Sequence, residues 1–265
     1  VIIFNLYYNK ANIFDNVLEG TIMQKRLLIL FLAVMMAISF SACDDKKDTA
    51  ANDNAKQPTE GKDAFTDLPS GDYARLMYSE NFYMTYTMYA MGMDFEGSQA
   101  VSGDILASKV TIDNKVLFTI IDNDKMYDIN ADTNSYTVTQ LSTDELSNYK
   151  TDYKNMTYVK SGSGAIASLI SAGVGSINYH YDEYHIKVDL TNKNKEDADA
   201  LKKAGINDDS NVTIRYYLKD DDSLYAISCT VMNIETVMLV HELTDQVPDD
   251  MLKIPDGYTE VSTIE

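Results

Sequence analysis

A chain of 265 residues carries 22 Lys+Arg against 41 Asp+Glu, two cysteines, no tryptophan and 19 tyrosines. The length is enough for a sizeable core without staples, and two cysteines exclude a disulfide framework or a four-cysteine zinc site. A net charge of −19 lacks the basic face that general nucleic-acid binding needs.

The first feature in chain order begins at Met23. Met23-Gln24-Lys25-Arg26 is a short basic region, and Leu27 to Phe40 follows as LLILFLAVMMAISF, a run with no charge. Ser41-Ala42-Cys43 closes it. This is the layout of a secretory signal peptide. At about 1.5 Å per residue the apolar run spans about 21 Å, short of a bilayer core of about 30 Å, so a transmembrane helix is the weaker reading. Phe40-Ser41-Ala42-Cys43 resembles the lipobox of bacterial lipoproteins, with Phe40 in the place usually held by Leu. The resemblance implies cleavage before Cys43 and acylation of Cys43, which then anchors the chain to the extracytoplasmic side of a cell membrane. Two or three acyl chains at about 0.8 kcal/mol per buried CH₂ hold a stable anchor where one does not. Residues 1–22 precede a complete signal peptide and read as translation upstream of a start at Met23; residues 23–42 are the signal peptide. From Cys43 onward 19 basic and 39 acidic residues remain, a formal charge of −20. Such a domain is repelled by anionic headgroups, so the acyl anchor rather than a basic patch is expected to hold it to the membrane.

Residues 43–70 are polar, with almost no large apolar side chain before Phe65. This segment reads as a tether, and a coil of that length reaches about 30 Å. From residue 71 to 265 one β-rich domain is expected. Phe82, Met84, Tyr86 and Met88 alternate with Tyr83, Thr85, Thr87 and Tyr89. The same period recurs at Val116-Phe118-Ile120, Tyr184 to Leu190, Val212 to Leu218 and Tyr225 to Val231. These are antiparallel strands with one face more apolar than the other. Turns are expected at Asp113-Asn114, Asp122 to Asp124, Asp132 to Asn134 and Asp220 to Asp222. Hairpins and a meander follow from the short spacing. Ser142-Thr143-Asp144-Glu145 opens a helix toward Tyr149 as a capping box. Asn194 to Ala204 reads as a second helix stopped by Gly205. Ala165 to Ile170 reads as a short apolar helix between glycine hinges. The fold class is therefore α+β, mostly antiparallel β, with a few short helices.

Chemistry-bearing constellations are sparse. Gly162-Ser163-Gly164 lacks the G-x-S-x-G spacing of a nucleophile elbow. Cys229 sits among alternating apolar residues and reads as a buried thiol. His180 and His185 are an odd distance apart, which on a strand sends them to opposite faces. The loops at Asp122 and Asn130 miss the ligand positions of a calcium loop. Gly173-Val174-Gly175 is followed by Asn178 where a dinucleotide fingerprint needs glycine. No cofactor and no metal are expected, and the chain is not read as an enzyme.

Methionines 77, 84, 88, 91 and 93 crowd the first strand region, and methionine suits surfaces that accept varied apolar ligands. In its order of elements the chain resembles the LolA/LolB/LppX-like half-barrel lipoproteins. The resemblance is carried by the tether, the strands around Asn81–Met91, and the hairpins Lys125–Val138 and Val212–Met232. The ending Val247 to Tyr258, VPDDMLKIPDGY, adds to it. It implies a curved sheet, partly closed by helices, whose concave face binds an acyl chain, another lipid or a lipoprotein. Candidate groove residues are Phe82, Met84, Tyr86, Met88, Val116, Phe118 and Ile120. The other reading is a structural or protein-interaction surface lipoprotein whose sheet faces are simply packed, without a ligand groove; in either reading the chain is expected to be a monomer.

Overall fold

The computed structural model describes residues 68–90, 93–112, 115–142, 156–175, 177–187, 202, 207, 210–231 and 234–262. Cys43, the signal peptide, nearly all of the tether and almost all of the two helices expected at 142–149 and 194–204 lie outside these residues.

The strands are β1 (Asn81–Ala90), β2 (Met93–Ser102), β3 (Ile105–Ile112), β4 (Lys115–Asp122), β5 (Lys125–Asn130) and β6 (Ser135–Gln140). After them come β7 (Met156–Ala165), β8 (Asn178–Lys187), β9 (Asn211–Leu218), β10 (Leu224–Val231), β11 (Ile234–Thr244) and β12 (Thr259–Glu260). Two short helices accompany them, α1 (Gly71–Met77) and α2 (Ala167–Ser171). All the strands belong to one curved, unclosed sheet in the order β12-β6-β5-β4-β3-β2-β1-β11-β10-β9-β8-β7. Two meanders, β1 to β6 and β7 to β11, are joined by antiparallel pairing of β1 with β11. Only β12 against β6 is parallel among the described strands. This is an unclosed half-barrel of antiparallel strands with short helices, the expected fold class.

Turn chemistry explains the tight hairpins. Asn123, Asn134 and Asp222 hold positive φ at the expected turns, and Gly103 does so between β2 and β3. Asx residues and glycine tolerate that left-handed backbone. Curvature is helped by bulges at Thr85/Tyr86 and at Tyr158/Lys160, which bend and twist a strand locally. Two glycines make room for aromatic rings. Gly97 pairs with Tyr86 and Gly162 with Tyr181, and a Cβ there would stand 2.5 Å and 2.7 Å from those rings. The glycines at 162 and 164 are therefore part of edge strand β7 rather than a hinge, and the helix between them and Gly173 begins at Ala167.

Both faces of the sheet are covered. α1 lies on one face, where its Ala74 and Met77 join a core cluster that includes Phe82, Met84, Met88, Met238, Ile227 and Tyr216. The opposite face is covered in two places. α2 packs Ile166 and Leu169 against Tyr217, Ala226 and Val237. The C-terminal segment packs Val247, Met251, Leu252, Ile254 and Tyr258 against Ala100, Ala107, Phe118 and Ile129. Among the described residues no helix is long and apolar enough to cross a membrane.

Candidate ligand-binding face

The register decides which residues can meet. In β1 to β5 each strand pairs its even-numbered residues with odd-numbered ones of the next: Met84 with Gln99, Gln99 with Ser108, Ser108 with Thr119, Thr119 with Asp128. Parity inverts at every hairpin. Three hairpins after β1, the even residues of β4 lie on the other face. Phe82, Met84, Tyr86 and Met88 thus belong to the α1 face. Val116, Phe118 and Ile120 belong to the opposite face, beneath the C-terminal segment. The two candidate sets do not line one groove.

The α1 face is a packed, methionine-rich core. The β1 set is no more than 2 % exposed, and Met77 from α1 and Met238 from β11 extend its methionine lining. Beyond β1 the face changes. A row of polar side chains, Gln99, Ser108, Thr119 and Asp128, crosses β2 to β5 in register. It runs between the apolar rows Val101-Leu106-Ile121-Met126 and Val110-Leu117. Thr119 Oγ1 donates to Asp128 Oδ1 at 2.9 Å. At the covered end, the Gln99 side-chain oxygen is buried with no hydrogen-bond partner among the described residues. Thr236 Oγ1, which faces the same cluster from β11, is likewise buried without one. Burial of an unpaired acceptor is costly.

α1 is pinned at its entry. Asp182 of β8, itself buried, accepts from the Ser70 amide at 3.2 Å and the Ser161 hydroxyl at 2.5 Å. Ser70 Oγ and Tyr184 OH are 2.7 Å apart. In the first turn of α1, Tyr73 OH donates to the Asp222 carbonyl at 3.1 Å. The buried Tyr78 hydroxyl lies against Tyr216, and loss of water pushes both phenols well above their ordinary range. Desolvation also pushes Tyr184 up to about 12.

On the opposite face Glu183 collects cations. Arg215 Nε donates to Glu183 at 2.7 Å, His185 Nε2 stands 3.6 Å from it and Lys160 Nζ 3.9 Å. Arg215 also lies over the Tyr181 ring, 4.7 Å from its centre. Burial works against the guanidinium charge, but hydrogen bonds to Tyr217 and Glu183 outweigh it and raise the pKa. No motif in the sequence marks Asp182 or Glu183. Adjacent strand residues point to opposite faces, and each of these carboxylates has found its own partners.

His180 and His185 occupy opposite faces of β8, and His180 Nδ1 lies 2.9 Å from Ser163 Oγ. Cys229 is fully buried, and desolvation pushes its thiol up to about 12. A thiol in that setting lacks the electropositive, accessible surroundings of a nucleophile.

No protein-family model matches the sequence, and no curated protein matches it. Solved structures align with the chain at low identity and low TM-score. One is an uncharacterized conserved protein from Thermus thermophilus, with 8 % identity, TM-score 0.38, and 69 % of this chain covering 91 % of that one. LprF from Mycobacterium bovis has 10 % identity and TM-score 0.37, over 75 % of this chain and 97 % of its own. Lipoprotein LppX from Mycobacterium tuberculosis has 9 % identity and TM-score 0.37, over 68 % and 93 %.

Proposed function

We propose that the protein is an envelope lipoprotein, anchored through acylated Cys43, that holds an amphipathic lipid or acyl chain on the α1 face of its curved sheet. What supports this is the buried, unpartnered Gln99 oxygen at the end of a polar row on a methionine-rich face. The apolar rows suit hydrocarbon, and the row from Gln99 to Asp128 suits a headgroup carrying hydrogen-bond donors. The protein acts as a monomeric carrier or holder rather than a catalyst. Cys43→Ala is expected to shift it from the membrane fraction to the soluble or unprocessed pool; retention of a cleaved mutant in the membrane would refute the anchor. For the ligand, a fluorescent fatty acid is expected to bind the parent protein. Gln99→Leu and Leu117→Glu should weaken that binding, Leu117 being only half-buried. Binding unchanged by both would refute the site.

One observation favours the other reading, a packed scaffold. Phe82, Met84, Tyr86 and Met88 are all buried beneath α1. In that case the parent binds no fatty acid, and a charge at Met84 only unfolds the domain.

A further inference from the structure

The connection between β7 and β8 stands out in a chain of this charge. From Ser161 to Tyr179 the sequence has no Asp, Glu, Lys or Arg, although 24 % of all residues are charged. Its aliphatic side chains are not tucked away: Ile170 is 47 % exposed, Val174 43 % and Ile177 66 %. Yet the backbone there is held in place. Leu169 is buried, and the Ser168 amide and hydroxyl both donate to Glu235 Oε2 at 3.1 and 2.8 Å. The Val174 amide donates to the Leu169 carbonyl at 2.9 Å. Three exposed aliphatic side chains in a stretch of nineteen residues without a charge are available for contact outside the domain.

The residues that follow along β8 set out a gradient. After Ile177 the odd-numbered positions of β8 are Tyr179, Tyr181, Glu183, His185 and Lys187, all on the face opposite α1. Tyr179 stacks on Tyr225 with ring centres 4.1 Å apart and planes 15° from parallel. Tyr181 lies under Arg215. Glu183 accepts from Arg215 and has Lys160 and His185 beside it, so basic side chains gather on this part of the face in a chain that is strongly acidic. At about 3.3 Å per residue, aliphatic, aromatic and cationic groups follow one another down the strand. A phospholipid leaflet presents the same order from acyl chains through the interface, where tyrosine concentrates, to phosphate.

We propose that the β7–β8 tip is a second membrane contact: Ile170, Val174 and Ile177 enter the acyl boundary of a phospholipid leaflet, Tyr179 and Tyr181 sit at headgroup level, and Lys160 and Arg215 face phosphate. This rests on the envelope placement proposed above and adds an orientation to it.

The absence of tryptophan makes the test direct. Full-length Val174→Trp and, as a control at the β5–β6 turn, Asp132→Trp are reconstituted into phosphatidylcholine vesicles with or without brominated acyl chains. The Val174→Trp indole is expected to shift to shorter wavelength and to be quenched about twofold by the brominated chains, with the Asp132→Trp indole unaffected. Adding Ile177→Asp, an exposed change, should abolish the quenching without lowering the melting temperature. Ile170→Trp serves as the reporter if Val174→Trp does not fold. Co-flotation with vesicles reports the anchor separately, so loss of the anchor and loss of the tip contact are told apart. A vesicle-bound protein whose indole stays solvent-like and unquenched would overturn the proposal. So would a blue shift without quenching, which means burial against another protein copy, or equal quenching at both positions.

Discussion

Gly97 and Tyr86 show how a single position shapes the sheet. The ring of Tyr86 lies across β2 where only hydrogen leaves room, and a Cβ there would stand 2.5 Å from its carbons. Gly97→Ala is expected to cost about 1–3 kcal/mol through overpacking, and the cost should shrink in a Tyr86→Ala background, as chemical denaturation of the double mutant would show. Met84, fully buried, sets the other residue-scale expectation. Met84→Glu should destabilise by ~3 kcal/mol or more, because a carboxylate is buried without a partner. Protonation adds a third. Burial raises Cys229 from 9.0, and Tyr184 and Tyr179 from 10.0, to about 12. The unfolded chain therefore loses these protons before the folded one does. Their contribution to stability is full below about pH 9 and is lost as pH rises through about 12. Urea melts between pH 8 and 12 should show this fall, with a later onset in Cys229→Ala. In the native protein near neutral pH, Cys229 should resist thiol reagents until the fold opens.

Among the elements, α1 depends on β8 as much as on its own seven residues. A helix this short is not stable by propensity alone; its apolar face and the bonds from Ser70 to Asp182 and Tyr184 hold it. Asp182→Ala leaves the Ser70 amide and the Ser161 hydroxyl without their acceptor. A loss of about 1–3 kcal/mol is expected, with faster amide exchange across Gly71–Met77 than across β1. Slow exchange in α1 of that variant would contradict the latch. How far such elements can be read from sequence varies for physical reasons. β1, β4 and β8 to β10 announce themselves by period-2 alternation. β2, MDFEGSQAVS, does not, because Gly97 breaks the pattern where a ring must pass and Ser98 replaces an apolar side chain under Met251. β7 hides behind SGSG, whose glycines answer to Tyr181 rather than to a hinge. α2 falls within two residues of its expected place because Ile166 and Leu169 carry an apolar helix signal.

Across the whole molecule, two meanders meet at β1 and β11, and the central strands carry the α1-covered core. Alternation alone groups the apolar residues of each strand, but it does not say which groups share a face. That depends on the parity of each hairpin, and the expected union of Met84 with Phe118 fails for this reason. The polar row from Gln99 to Asp128 also emerges only from register, since each member looks like an ordinary strand residue in its own segment. What the assembled face offers is a soft apolar interior bordered by hydrogen-bonding groups, one of which is buried unpaired. Native mass spectrometry of the protein purified from its own membrane tests most directly whether that face holds a lipid. One amphipathic lipid per chain is expected, released when the protein is unfolded and much reduced in Gln99→Leu. A ligand-free mass for the parent protein, with no uptake of fluorescent fatty acid and a melting temperature that collapses in Met84→Glu, would contradict it and leave a packed scaffold.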